Sequence, residues 1–261
     1  MHKGRDLRQR PDREAVRTPS AEAPKPVILN VGITGHRAGV LTAPVVRTLR
    51  PIVYTVFREL QQAALRLQET EDGLCSATPA RLLLNTALAT GADQLAAICG
   101  RSSGYFVRAI LPFEAREYRK DFAAGDEIEG FEQALQAADE IVALPGDRTN
   151  LEAAYVLVGE SLVEKADILI AIWDGEEGRG RGGTAHVVEM ALQSCTPVIH
   201  IDIDEGSDVV RIRALTHGDT AAPFGTSLHD PGLYGAILRC AFRLEPDASE
   251  EAPVTAAAAG R

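Results

Sequence analysis

Residues Ile168 to Ala191 read ILIAIWDG, EEGRGRGGT and AHVVEMA: an apolar run, a turn crowded with glycine and arginine, and a helical segment. Consecutive apolar residues suit a strand covered on both faces, and glycines at a helix entry let backbone N–H groups approach an anion where the helix dipole is positive. The chemistry on offer is phosphate binding. Gly182, Gly183 and Thr184 form the helix entry, with N–H groups and the Thr184 hydroxyl facing the phosphate, and Arg179 and Arg181 stand on the rim. Gly178, Gly180 and Gly183 also satisfy G-x-G-x-x-G, with Asp202 near the spacing of a ribose-binding acid, which would make an NAD-type dinucleotide site. Against that, Asp174 to Glu177 separate the strand end from Gly178, whereas the fingerprint turns directly off its strand.

Other short polar motifs follow apolar runs in the same way. In GITGHR, Gly32 and Gly35 permit a tight turn or close ligand approach, Thr34 offers a hydroxyl, and His36 and Arg37 can pair with phosphate oxygens. A connection whose His and Arg are merely solvated is the alternative. In TGAD, Gly91 allows the turn beside Ala92, and Asp93 either caps the next helix, the commoner job, or accepts hydrogen bonds from a ribose. LPFEAREYRKDF contributes Pro112, Phe113 and Glu114, of which Glu114 is the polar contact. Its Arg116, Arg119 and Lys120 share a helix face, either as a phosphate clamp or paired with Glu117 and Asp121 on a solvated surface. Trp173 suits stacking on a base or burial in the core. Asp174 closes the fifth strand.

Several chemistries are missing. There is no G-x-x-x-x-G-K-[ST], so the lysine and Mg²⁺ contacts of a P-loop are absent. Gly159, Glu160 and Ser161 lack the second glycine of a nucleophile elbow and fall within a helical pattern. His186 and Glu189 share a helix face without a third ligand, which reads as a polar face, and no metal site is expected.

The elements that must position these residues alternate from Pro26 onward. Strands are expected at 27–35, 80–90, 105–112, 140–146, 168–175 and 197–204. Between them lie helical patterns, such as Val45, Leu49, Ile52, Val53, Val56, Phe57, Leu60, Ala64 and Leu67 after Pro44, and Leu151, Ala154, Tyr155, Val158 and Leu162 after a capping Asn150. Such alternation predicts an α/β fold: a doubly wound, mostly parallel, Rossmann-like sheet of about six strands with helices on both faces. The expected organisation is a disordered arm over 1–26, one nucleotide-binding domain over 27–204, an extension over 205–245 with a helix near Leu233 to Phe242 packed on that domain, and a disordered tail over 246–261. Every unusual motif falls at a strand's carboxyl end, where open parallel sheets bind ligands.

Composition narrows the class. Of 261 residues, 45% are hydrophobic and 25% charged, enough for a real core. The formal net charge is −10, and beyond the basic first 26 residues 20 Lys and Arg face 33 Asp and Glu. An acidic body argues against a nucleic-acid surface, which needs clustered cations, while leaving room for a small anion. Cys75, Cys99, Cys195 and Cys240 form no C-x-x-C pair and read as reduced, mostly buried thiols. No stretch reaches the ~18 apolar residues of a membrane span, and no signal-peptide core is present. A soluble, cytoplasmic protein without a membrane partner is expected.

Taken together, GITGHR, the TGAD turn, LPFEAREYRKDF and WDG followed by RGRGGTAHVVEMA resemble the SLOG superfamily of Rossmann-like nucleotide-binding proteins. That superfamily groups DprA, the LOG phosphoribohydrolases formerly called lysine decarboxylases, and the sensor domains of TRPM channels. The resemblance covers residues 27–204. It implies binding of a nucleotide or nucleotide-derived signal at the strand ends, and some bacterial members are sensors in defence systems. It also implies that a homodimer is common among relatives, and no cofactor beyond the nucleotide ligand. LOG-type hydrolases resemble P-G-G-x-G-T-x-x-E, whose acid helps break the bond between base and ribose. Aligned on Thr184, Val187 occupies that acid's position, Gly182 and Gly183 abut Thr184 without the intervening residue, and Glu189 points about 200° away from Val187 on a helix.

The expectation is therefore a nucleotide-binding sensor module, non-enzymatic or weakly enzymatic. Its ligand would contact Gly32, Thr34, Gly35, His36, Arg37, Gly91, Ala92, Asp93, Pro112, Phe113, Glu114, Asp174, Gly182, Gly183 and Thr184. Two alternatives stay open: an N-glycoside hydrolase acting on a nucleotide, with Glu114, Asp174 or Glu189 as its catalytic acid, and the NAD-type site.

Overall fold

The computed structural model describes residues 26–70, 78–176, 180–203, 210–215, 228 and 231–244. Chain order is β1 (Ile28–Gly35), α1 (Ala43–Thr70), β2 (Arg81–Thr86), α2 (Ala92–Ser102), β3 (Phe106–Leu111), α3 (Ala115–Tyr118), α4 (Asp126–Ala137) and β4 (Glu140–Ala143). It continues with α5 (Leu151–Lys165), β5 (Ile168–Trp173), α6 (Thr184–Gln193), β6 (Val198–Ile203), β7 (Val210–Leu215) and α7 (Pro231–Phe242). One turn of 3-10 helix, Arg119–Asp121, follows α3.

The strands form one sheet in the order β4-β3-β2-β1-β5-β6-β7. The six expected strands pair in parallel, giving the doubly wound α/β architecture, and β7 adds an antiparallel edge beside β6. From β1 the chain moves outward through β2, β3 and β4, then returns to β1's other side as β5. Strand order therefore reverses between β1 and β5, and crevices for ligands open at such a switch point.

Alternation explains why β5 is apolar throughout. Ile168, Ile170 and Ile172 join the large cluster packed with α1, α2, α4 and α7, while Leu169 and Ala171 turn to the opposite face with Val163, Val187, Val188 and Ala191 of α5 and α6. Burying one such aliphatic side chain contributes roughly 2 kcal/mol. Helix α1 buries Leu49, Val53, Val56, Phe57, Leu60, Ala64 and Leu67, the stripe its spacing predicts. The helix expected near Leu233 is α7, whose Leu233, Tyr234, Ile237 and Leu238 enter the same core.

Two differences from the sequence reading have local causes. Strand β2 stops at Thr86 instead of 90, because the Thr86 hydroxyl accepts from Leu88 N (3.1 Å) and Asp93 Oδ2 accepts from Ala87 N (3.1 Å) and Ala89 N (3.3 Å), turning the chain away from the ladder. Cys99 is buried in α2, but Cys195, in the turn after α6, and Cys240, on α7, are exposed. Cys75, Gly178, Arg179, the arm before residue 26 and the tail after 244 lie outside the described residues. Among the described residues no helix is long and apolar enough to cross a membrane.

Candidate functional site

The ends of β1, β2 and β5 meet at the switch point through backbone contacts that only glycine permits. A Cβ on Gly35 would lie 2.5 Å from both Ala92 Cβ and the Ile172 carbonyl oxygen. Gly91 has φ +90, and a Cβ there would lie 2.4 Å from the His36 carbonyl oxygen. That oxygen instead accepts from Ala92 N at 3.0 Å, which joins the β1 turn to the start of α2. The His36 N–H donates to the Ile172 carbonyl at 2.9 Å, extending the β1–β5 ladder into the turn.

Beyond the ladder, His36 Nε2 lies 3.0 Å from Asp174 Oδ2, with the two side chains 20% and 25% exposed. The Asp174 N–H also donates to Nε2 at 3.4 Å, so the ring meets both the backbone and the carboxylate of Asp174. Burial opposes ionisation of Asp174, but the Glu176 N–H on Oδ1 (3.0 Å) and His36 outweigh it and hold the carboxyl below its usual range. Asp174 is thus an ionised acceptor on the crevice wall.

Asp93 neither caps α2 through its side chain nor stands open to a ribose. It is 6% exposed, and Oδ2 holds the β2–α2 turn through Ala87 N and Ala89 N. Burial pushes its carboxyl up to about 7, against the Ala89 amide and the Arg37 charge, which favour the anion. Leu88, fully buried in the same turn, is held at φ +57, a conformation that costs a non-glycine residue roughly 1 kcal/mol or more.

Arg37 lies over the Tyr155 ring of α5, 5.3 Å from its centroid. The Tyr155 hydroxyl donates to Asp121 Oδ2, and Arg148 Nη2 meets Asp121 Oδ1 at 2.6 Å. Burial, then the Asp121 carboxylate, raises the Tyr155 phenol above its ordinary range. Arg148 also lies over the Phe113 ring, 5.4 Å from the centroid. Sequence spacing missed Asp121, Arg148 and Tyr155 as a group. Tyr155 sits in the apolar stripe of its helix, and Asp121 reads as a partner for cations of its own segment.

Those cations pair elsewhere: Arg119 with Glu132 and Lys120 with Glu117, both at 2.6 Å and largely exposed. Of the two readings of this segment, the surface pairing describes Arg119 and Lys120. Pro112 and Phe113 are buried supports, since Gly146 approaches them so closely that a Cβ would lie 2.3 Å from the Pro112 carbonyl. Glu114 is exposed, and its backbone carbonyl accepts from Glu117 N (2.8 Å) and Tyr118 N (3.0 Å) at the start of α3.

On the far side, Gly182 has φ +81 and rests on α5, where a Cβ would lie 3.1 Å from Tyr155 Cβ. Its N–H donates to His186 Nδ1 at 3.1 Å, which gives His186 a turn-fixing role. Gly183 and Thr184 then open α6. Val187 is buried in the seam between α5 and α6, its Cγ2 2.9 Å from where a Cβ on Gly159 would stand. Glu189 is exposed and accepts from Gln193 Nε2 at 3.0 Å. Gly32 serves packing: a Cβ would meet Ala166 Cβ and Leu169 Cδ1 at 3.1 Å. Thr34 is buried near the end of β1, and Asp202 within β6. Trp173 is half-buried against the α6-side cluster, its ring tilted beside His200. Among the described residues no group of three or more His, Cys, Asp and Glu could hold a metal ion.

A cavity of about 210 Å³ opens on the β1–β3 side, with Arg37, Thr90, Tyr118, Asp121, Phe122 and Glu127 in its walls. Tyr155 stands between it and the glycine turn, its backbone against Gly182 and its hydroxyl on Asp121.

No known family profile matches the sequence, and no curated protein matches it. Among solved structures the chain is similar to TM1055, a structural-genomics target, with 21% identity and a TM-score of 0.38 over 66% of this chain and 72% of that one. It is also similar to DNA processing protein A (DprA) from Streptococcus pneumoniae, with 14% identity and a TM-score of 0.45 over 69% of this chain. The similarity to DprA spans about half of that protein, 53% of its chain. Both are similarities of fold, and at these values they assign neither ligand nor residue.

Proposed function

We propose that this chain binds a nucleotide or nucleotide-derived signal in the crevice between β1 and β5, as a sensor or binding module. The observation that carries the reading is the meeting of the β1, β2 and β5 ends and the α6 entry at the switch point of a parallel sheet. In this reading the phosphate lies over Gly183 and Thr184 at the positive end of α6, and Gly35, Arg37 and Gly91 form the opposite wall. The Gly182 N–H is directed to His186, so the anion contacts fall to the next residues of the turn.

The test is calorimetric titration of wild type and an Arg37→Ala, Thr184→Val double variant with a panel of nucleoside mono- and diphosphates. The variant is expected to keep the native circular dichroism spectrum and lose at least tenfold in affinity, the worth of one charge-assisted contact at about 1.5–3 kcal/mol. Unchanged affinity sinks the proposed site.

One observation favours the second reading, cleavage of a nucleotide's N-glycosidic bond. Asp174 is an ionised, partly exposed carboxylate at the end of β5, placed to stabilise a positively charged ribose. Against it, Val187 fills the position of the expected acid and lies in a packed seam. Incubation with AMP followed by chromatography for free adenine separates the readings: base release that disappears in Asp174→Asn establishes hydrolysis.

A further inference from the structure

We infer that the cavity beyond Tyr155 is a nucleoside subsite in which the Glu127 carboxylate accepts from two adjacent N–H or O–H donors of the ligand. This rests on the nucleotide reading above and assigns the end of the ligand that the glycine turn does not hold.

The walls decide what the cavity can take. Asp121 is already paired with Arg148, so Glu127 is the carboxylate left to a ligand, and a phosphate placed beside it meets like charge. The remaining lining includes the Thr90 side chain and the edges of Tyr118 and Phe122, two almost wholly buried rings that pack edge-on with centroids 5.0 Å apart. A mostly polar lining with a fixed acceptor suits an uncharged group that carries donors.

Both acceptors are held in place before any ligand arrives. Asp121 is pinned by Arg148 on Oδ1 and by the Tyr155 hydroxyl on Oδ2. Glu127 commits Oε2 to Ala123 N at 2.8 Å, which orients the carboxylate and leaves Oε1 for a ligand. Oε1 keeps two lone pairs, enough to accept from two adjacent donors of one ligand. Within nucleotides, two features present adjacent donors: the N1–H and N2–H₂ edge of guanine, and the cis-diol of ribose. Tyr155 orders the two ends, because its backbone supports the turn assigned to phosphate and its hydroxyl reaches the carboxylate of the cavity wall.

The experiment compares wild type with Glu127→Gln by calorimetry against pyrophosphate, ribose 5-phosphate, AMP and GMP. Glutamine keeps an oxygen for the Ala123 amide and replaces the other acceptor with a donor. A loss of at least tenfold for GMP alone supports the inference with guanine's edge as the donor pair. The same loss for ribose 5-phosphate, AMP and GMP together supports it with the diol. In both cases pyrophosphate binding stays within twofold of wild type, and the thermal midpoint confirms that the variant is folded. Wild-type affinity of Glu127→Gln for every nucleotide overturns the inference while leaving the site of the preceding section intact, and so does a parallel loss for pyrophosphate. Failure of wild type to bind any of the nucleotides overturns both.

Discussion

On the β1–β2 side of the crevice, added Cβ atoms on Gly35 and Gly91 would stand 2.5 Å and 2.4 Å from neighbouring atoms, most of them backbone. On the α6 side, among the described residues, an added Cβ on Gly180 would have nothing within 4 Å and one on Gly183 would meet only the Gly180 carbonyl, at 3.4 Å. Gly182 lies between these extremes, with left-handed backbone and contacts of 3.1 Å to α5. The same residue type thus does different work on the two walls. Where two turns touch backbone to backbone, glycine is a condition of folding. Where the turn stands open, its absent side chain leaves room for something to approach. The first wall is fixed by close backbone packing, and the second leaves its backbone less covered by neighbouring atoms.

The sharpest way to break this contrast is Gly91→Ala. It forces an L side chain to φ +90 and drives a methyl into the His36 carbonyl and the Arg37 backbone. A loss of at least ~3 kcal/mol in urea unfolding is expected, in the range of severe steric and backbone strain. A variant as stable as wild type removes the claim that this wall is fixed by close backbone approach.

Next in size is a pH effect on the same wall. The Asp93 carboxyl, raised to about 7 by burial, binds its proton more tightly in the folded chain than in the unfolded one. Its contribution is fully present below the ordinary carboxyl range and is lost as pH rises through 7. Asp93→Asn keeps an acceptor for the Ala87 and Ala89 amides but cannot ionise. The thermal midpoint of wild type should therefore fall relative to Asp93→Asn between pH 5 and 8. Parallel profiles for the two proteins would show that Asp93 does not titrate in this window.

The smallest effects belong to the second wall. Gly182→Ala should cost roughly 1–2 kcal/mol for its left-handed backbone, and Gly180→Ala less than about 0.5 kcal/mol. Equal stability losses at the two positions, read by chemical denaturation, would dissolve the distinction between a glycine that rests on α5 and one that faces open space.

The fold was legible because its signals are local. Six apolar runs, each ending in glycine or a short polar motif, define six parallel strands, and their carboxyl ends hold the crevice. Half of the crevice was legible for the same reason: Gly35, His36, Gly91 and Asp174 meet as their positions at strand ends suggest. The antiparallel β7 escaped notice because VRIRAL, with arginines interleaved among apolar residues, lacks the continuous apolar character of the interior strands.

Sequence alone determined the six parallel strands to within a few residues and which residues lack a side chain, since these depend on steric freedom and on the spacing of apolar residues along a short stretch of chain. Tertiary structure decided how polar side chains were shared out. Asp93 turns inward to hold its own loop, and Asp121 crosses 34 residues to Tyr155 instead of serving the cations beside it. Val187 closes a seam, and His36 reaches across 138 residues to Asp174. A side chain's partner depends on which loops the sheet brings together, and a polar residue near several donors commits to those that burial leaves without water. Spacing along the chain carries no information about that choice.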